Sequence, residues 1–371
     1  MNESEEQIVS AEQTTRWRFF TKTTGAWDAM LAACESATSS IDLEQFIFLN
    51  DQVGEKFLNV CRAKAKQGVH VRLLCDAAGS FSFFTSSIVE EIIQDGVEVV
   101  FFNTFIPGAF HNHSLWFFRD HRKLLLIDKK VGFTGGICLS EEMKDWRDTH
   151  VEIEGEVVRE MELAFDTMWR RAYKRQHRRK NILSEIKVGA QGFNYVTNSP
   201  LPRRRFLYRR LIEAVRSSKR YVFLTTPYFV PDNRFLRVLK LAKHRGVDVR
   251  VLIPEKSDHR LVDIGAQTFF HSLLKSGIRV YLYKGTMIHT KTAVIDEEWS
   301  TLGSMNFDNV SFKYNFEANI ISGDKDFTEE LTSHFTQDIQ NAHELTLDEW
   351  EKRSYFRQFL ELLVYPIRSL L

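Results

Sequence analysis

HRKLLLID, residues 121–128, and HTKTAVID, residues 289–296, are two copies of one pattern: His, any residue, Lys, four apolar or neutral residues, Asp. On a strand, side chains two apart share a face. His121 and Lys123 therefore project together, and so do His289 and Lys291. An imidazole beside an ammonium suits a phosphate: the Lys neutralises phosphoryl charge, and the His attacks phosphorus or moves a proton. The apolar residues before each Asp fit a buried strand. Asp128 and Asp296 open the turns DKK and DEE, where direct chemistry and turn formation are both open readings. Past six further residues comes a small-residue turn, Gly135-Gly136-Ile137-Cys138 in one copy and Gly303-Ser304-Met305-Asn306 in the other. Glycine admits close backbone approach to an anion, and Ser and Asn add hydrogen bonds. Gly136, Ser304 and Asn306 are thus candidate substrate-binding residues.

The text around each motif repeats as well. GVHVRLLCD (68–76) matches GVDVRVLIP (246–254), and a Lys/Arg-rich helical pattern precedes each. Downstream, EEIIQDGVEVVFF resembles HSLLKSGIRVYLY. Each half reads helix, strand, helix, strand, helix, strand, motif, which is an α/β order. Two similar lobes with one shared site follow. The expected divisions are a polar tail (1–15), a first lobe (16–190), a second lobe (191–345) and an amphipathic C-terminal tail (346–371), with the boundary near 181–200.

Composition narrows the function. The 371 residues suit two domains. Lys and Arg number 50 against 49 Asp and Glu, so nucleic-acid binding by bulk charge is disfavoured. Four cysteines show no metal or disulfide spacing. The acidic start MNESEEQIVS is unlike a signal peptide, and no apolar run approaches the roughly 18 residues of a spanning helix. The expectation is a protein that is soluble or lies on a surface and does not cross a membrane.

The paired motifs resemble those of the phospholipase D superfamily. DHRKLLLIDKKVGFTGGI, WRDTHVEIEG, PYFVPDNRFLRVLKLAKHRGVDVRVLIPEKSD and HTKTAVIDEEWSTLGSMNFDNVSFKYNFEANI are most similar to the bacterial cardiolipin synthase family, in a short form without N-terminal membrane helices. Cys138 departs from that pattern, which more often has Asn. The resemblance implies two phospholipase D-like lobes, each a mixed sheet flanked by helices, related by a pseudo-two-fold around one active site. It implies transfer of a phosphatidyl group from phosphatidylglycerol to an alcohol, through a phosphohistidine, with release of glycerol. His121 would be the nucleophile and His289 the acid and base. Lys123, Lys291 and Asn306 would hold the phosphoryl oxygens. Asp148, 27 residues after His121, and Glu317, 28 after His289, would orient the imidazoles. No metal or other cofactor is implied, and the expected place is peripheral, on the cytoplasmic side of an anionic membrane. Hydrolysis by a phospholipase D, a nuclease on the same fold, and a non-catalytic lipid-binding scaffold are the rivals. Oligomeric state is not legible.

Four stretches remain for lipid contact. The first half carries an insertion, TFIPGAFHNHSLWFFRD, with Phe105, Ile106, Phe110, Leu115, Trp116, Phe117 and Phe118, next to His111 and His113. The C-terminus repeats apolar residues at helical spacing from Phe356 to Leu371, with Arg357, Glu361 and Arg368 off the stripe. RRAYKRQHRRK (170–180) and PRRRFLYRR (202–210) are basic and suit anionic headgroups, nucleic acid or a solvated linker face.

Overall fold

A computed structural model describes residues 15–104, 118–176 and 192–370. The insertion from Phe105 to Phe117, the basic residues 177–180, most of the polar N-terminal tail and Leu371 lie outside the described residues.

The chain builds two mixed sheets. The first holds β1 (Arg16–Lys22), β2 (Ser40–Gln45), β3 (His70–Asp76), β4 (Glu98–Phe102), β5 (Leu124–Ile127), β6 (Val131–Gly135) and β7 (Arg147–Glu154), in the order β1-β7-β6-β5-β2-β3-β4. The second holds β8 (Phe193–Asn198), β9 (Tyr221–Thr225), β10 (Asp248–Pro254), β11 (Arg279–Tyr283), β12 (Thr292–Ile295), β13 (Trp299–Gly303), β14 (Glu317–Ser322) and β15 (Ala342–Leu345). Its order is β15-β11-β10-β9-β12-β13-β14-β8, the first order repeated with one extra edge strand. In both, three parallel strands alternate with helices, and the motif strand then pairs antiparallel with the first of them: β5 with β2, β12 with β9. β8 falls inside the stretch expected to be a boundary. It pairs with β14, so the second sheet begins earlier than the linker-like text suggests.

Local signals explain the elements. The helices Gln52–Lys66 and Asn233–His244 start at Asp51 and Asp232, whose carboxylates accept first-turn backbone N–H groups. They give way to Gly68 and Gly246 at φ +89° and +92°, a region that favours glycine. The motif strands are buried along their whole length.

Each lobe has its own core, and a third core joins them. Leu124, Leu126, Val151 and Phe165 from the first lobe pack with Val294, Leu302, Phe316 and Ile320 from the second. Two crossed β-bridges clasp the halves beside the motifs, Asp120 with Phe316 and Arg147 with Ile288. The N–H of His121 donates to the carbonyl of Phe316 at 3.0 Å, and that of His289 to the carbonyl of Arg147 at 2.7 Å. Each motif histidine thus enters the site along the other lobe's chain.

Candidate active site

Both histidines are held from across the seam. His121 Nδ1 lies 2.9 and 3.0 Å from the two carboxylate oxygens of Glu317, the first residue of β14. His289 Nδ1 lies 2.7 Å from Asp148 Oδ2, near the start of β7. Each carboxylate therefore serves the histidine of the other lobe, although each stands at similar spacing behind its own. With Nδ1 engaged, the proton on that nitrogen faces a carboxylate and Nε2 is the nitrogen free for chemistry. An aromatic ring braces each imidazole: Phe46 at 4.8 Å from His121, and Trp146 at 5.1 Å from His289.

Lys123 and Lys291 are fully buried. Their ammonium groups donate to the carbonyls of His121 and His289, at 2.6 and 2.5 Å. Burial draws Lys291 down to about 7 against the pull of Asp148, and Lys123 adds like-charge repulsion. Burial also lowers His289 to about 4; Lys291 adds to that and Asp148 opposes it. His121 is lowered too, by burial first, with Glu317 opposing. Burial works to raise Asp148, but His289 and Lys291 outweigh it and hold it near 2. Burial likewise opposes the ionised form of Glu317, yet His121, Lys123 and the Ser304 hydroxyl keep it below its ordinary value. The centre is a set of two carboxylates, two lysines and two largely neutral imidazoles.

Two small-residue positions act differently from expectation. Gly136 packs on the carboxylate behind His289: its N–H donates to the Thr149 carbonyl at 3.3 Å, and a Cβ there would sit 2.3 Å from Asp148 Oδ1, so glycine makes room for the carboxylate. Ser304, its counterpart, donates its hydroxyl to Glu317 Oε2 at 2.5 Å. Both support the residues that orient histidine. Asn306 does line the cleft, and its amide oxygen has no protein partner. Cys138, its counterpart, is buried in the first-lobe core.

Asp128 and Asp296 stand at the far ends of the motif strands, seven residues of chain from the histidines. With Lys129 and Glu297 they occupy hairpin turns at φ between +53° and +62°. Asp128 accepts the backbone N–H groups of Thr38, Ser39 and Ser40 and the hydroxyls of Thr38 and Ser39, at 2.7 to 3.1 Å. Asp296 accepts the N–H groups of Lys219, Arg220 and Tyr221 at 2.6 to 2.8 Å. These aspartates anchor the strands beside the motifs. The expected catalytic role has no geometric basis, because their carboxylates are spent on those turns.

A cavity of about 710 Å³ opens onto His121. Phe46, Arg119, Tyr228, Asn306, Asp308 and Leu370 are among its walls. Burial raises Asp308 to about 7 against the hydrogen bond from the Ser311 N–H. Asp308 was not singled out in the sequence, although NFD follows the second turn directly. Arg147 was missed as well. Its guanidinium makes a forked pair with Asp338 at 2.9 and 2.7 Å and touches Thr149 and Thr290, tying the lobes beside His289. Among the described residues no group of three or more His, Cys, Asp or Glu is placed to hold a metal.

Comparison with known proteins agrees with this architecture. The family described as cardiolipin synthase, PLD-like domain, matches residues 30–169 and 211–339. A cardiolipin synthase of Halalkalibacterium halodurans is 32% identical over 339 residues, covering 89% of this chain and 67% of that protein. One from Clostridium perfringens is 31% identical, covering 92% and 74%. Among solved structures, the phosphatidylserine synthase of Haemophilus influenzae superposes with a TM-score of 0.73 at 12% identity, covering 95% of this chain and 93% of that one. Sequence and fold together place the chain in the cardiolipin synthase family of phospholipase D-like enzymes.

Proposed function

We propose that this protein is a phosphatidyltransferase that makes cardiolipin from phosphatidylglycerol through a phosphohistidine. The observation that carries the reading is the crossed pairing of His121 with Glu317 and His289 with Asp148. It gives one centre two imidazoles, each with Nε2 available, as a two-step exchange requires. His121 is the nucleophile in this reading because it borders the open cavity. Its Nε2 attacks phosphorus, and the bond from phosphorus to the glycerol oxygen breaks. That oxygen takes a proton from the His289 imidazolium and glycerol leaves. The hydroxyl of a second phosphatidylglycerol then gives its proton to His289, and its oxygen attacks phosphorus. The P–N bond breaks and its electron pair returns to His121. Lys123, Lys291 and Asn306 carry the charge on the phosphoryl oxygens.

Proton supply follows from charge. The empty centre favours neutral imidazoles, so a bound phosphodiester anion draws in the proton that His289 needs. Product analysis with phosphatidylglycerol labelled in the glycerol backbone tests the reading. Labelled cardiolipin and free glycerol are expected. Labelled phosphatidic acid alone would assign water as the acceptor and overturn transfer.

A further inference from the structure

The C-terminal helix Tyr355–Val364 is amphipathic, and it is docked with most of its large apolar side chains turned outward. A surface helix ordinarily turns its apolar face to the protein. Here the inward side buries only Val364 and a charge. Glu361 is buried and receives a forked pair from Arg353 at 2.7 and 3.0 Å. Arg357 donates to Gln267, and Arg368 donates to Thr268 while its guanidinium lies over the rings of Phe269 and Tyr365. The outward side carries Tyr355, Phe356, Phe359, Leu362 and Leu363, which are 54% to 89% exposed. Five large exposed apolar side chains in ten residues are far from an ordinary solvated face.

Two observations identify what covers this face. The first is charge. From Tyr355 to Leu370 the sole acid is Glu361, and it is buried; the remaining charges are Arg357 and Arg368. The face therefore offers apolar bulk with no exposed acid to be repelled, and the exposed Arg357 stands at its margin, which suits an anionic lipid surface. The second is continuity with the catalytic cavity. Past Pro366 the chain folds into the turn Arg368–Leu370, and Leu370, itself 70% exposed, lines the same cavity as His121. Leu261, at the start of the helix on which the tail packs, is exposed at that mouth as well.

We propose that the outer face of Tyr355–Val364 together with the turn Arg368–Leu370 is the surface that seats this protein on an anionic phospholipid bilayer, with the mouth of the cavity held at the lipid headgroups. This rests on the phospholipid substrate of the preceding section. A lipid then enters past Leu370 without leaving the bilayer completely, which is the problem any enzyme acting on a long-chain lipid must solve.

The test pairs the variant Phe359→Asp/Leu363→Asp with a milder one, Tyr355→Ala/Phe356→Ala, whose side chains are so exposed that folding does not depend on them. Three readouts are compared with the unaltered protein: co-sedimentation with vesicles of phosphatidylglycerol and phosphatidylcholine, turnover on those vesicles, and turnover of short-chain phosphatidylglycerol dispersed as monomers. Vesicle binding and vesicle turnover are expected to fall at least tenfold together in the aspartate variant and severalfold in the alanine variant. Monomer turnover is expected to stay within about twofold, because the motifs are untouched. Unchanged vesicle binding in both variants overturns the proposal. So does a dimer in light scattering that both variants convert to monomer, since the face would then belong to a second copy. If the unaltered protein binds vesicles through this face but turns over neither substrate, the function reading fails and the docking surface stands.

Discussion

The two lobes share one fold, yet the ground beneath their histidines is opposite in character. In the first lobe the motif is flanked by Arg119, Asp120 and Arg122. Arg122 pairs with Glu44 and Asp120, while Asp76 pairs with Arg119 and accepts the Asp120 N–H. The strand registers and the spacing of the two motifs align these five charged residues with Thr225, Pro254, Met287, Ile288 and Thr290 of the second lobe. Every charge in the first set is neutral in the second. Duplication kept the scaffold and let the surroundings diverge. Buried ion pairs contribute little net stability but hold geometry tightly. His121 therefore sits on a braced strand, which suits the nucleophilic role proposed for it. His289 sits among threonines and Trp146, where burial and Lys291 outweigh the pull of Asp148 on its charge state.

Removing the imidazoles gives the largest effect and tests whether the lobes act as one centre. His121→Ala and His289→Ala are each expected to lower turnover by about 10⁴-fold or more, and the double variant little further, because residues acting as a unit fail together. Steady-state rates beside circular dichroism check this. Either single variant retaining a tenth of normal activity would break the shared-site picture. The asymmetry is sharpened by trapping: with a donor whose leaving group needs no proton, such as a p-nitrophenyl ester of phosphatidic acid, His289→Ala should accumulate the phosphatidyl group on His121, visible by mass spectrometry, whereas His121→Ala should accumulate none.

The crossed carboxylates come next. Glu317→Gln and Asp148→Asn keep the shape but remove the charge behind each Nδ1, with expected losses of roughly 10² to 10⁴ in kcat, as for the comparable carboxylate of a catalytic triad. A variant with normal rates and an unchanged pH profile would show that its carboxylate serves the fold alone.

Much of this was legible in the sequence, and its limits are physical. Spacing placed the His and Lys side chains on one face because strand geometry is local. The repeat of GVHVRLLCD in GVDVRVLIP announced two lobes because each helix–strand unit carries its own caps and apolar strand. The crossing of Glu317 to His121 and Asp148 to His289 was not legible. It depends on how two lobes dock, and both residues stand at nearly equal distances behind either histidine of their own half. Gly136 and Ser304 were misassigned for the same reason: a small residue beside an anion reads alike whether the anion is substrate or a carboxylate of the protein. The tail read as an amphipathic helix, but which face would dock depended on Arg353 meeting Glu361.

A smaller effect separates the lysines and turns. Lys291 sits near 7, so it sheds its proton as pH rises through neutrality and no longer holds the diester. kcat/KM, which reports the free enzyme, is expected to fall up to tenfold per pH unit above about 7. Lys291→Arg, which keeps its charge at any such pH, should flatten that limb even where its absolute rate is lower. An unchanged alkaline limb in this variant would assign it to another group. At the turns, Asn306→Ala is expected to cost about tenfold in kcat/KM, the order of one lost hydrogen bond to a charged group. Cys138→Ala should change it less than threefold, because that side chain faces the core.

The aspartates at the ends of the motifs should give the smallest effect on rate and reveal themselves in stability instead. Asp128 takes three backbone N–H groups and two hydroxyls, Asp296 three N–H groups and no hydroxyl among the described residues. Those bonds hold Asp128 well below the ordinary carboxylate range, against a desolvation that works the other way. A depressed carboxylate contributes stability above its unfolded pKa of about 3.9, and that contribution is lost as pH falls through the folded value. Asn tolerates positive φ, so Asp128→Asn isolates the charge, whereas Asp128→Ala adds backbone strain. Asp128→Asn is expected to lose about 1–3 kcal/mol at pH 7 and Asp296→Asn somewhat less, with turnover of either within about twofold. The gap between Asp128→Asn and the unaltered protein should stay constant from pH 7 to about 4 and narrow only as the denaturation series is carried below that. A hundredfold loss of turnover with unaltered stability in either variant would return that aspartate to the chemistry and undo the division of each motif into a reacting end and an anchoring end.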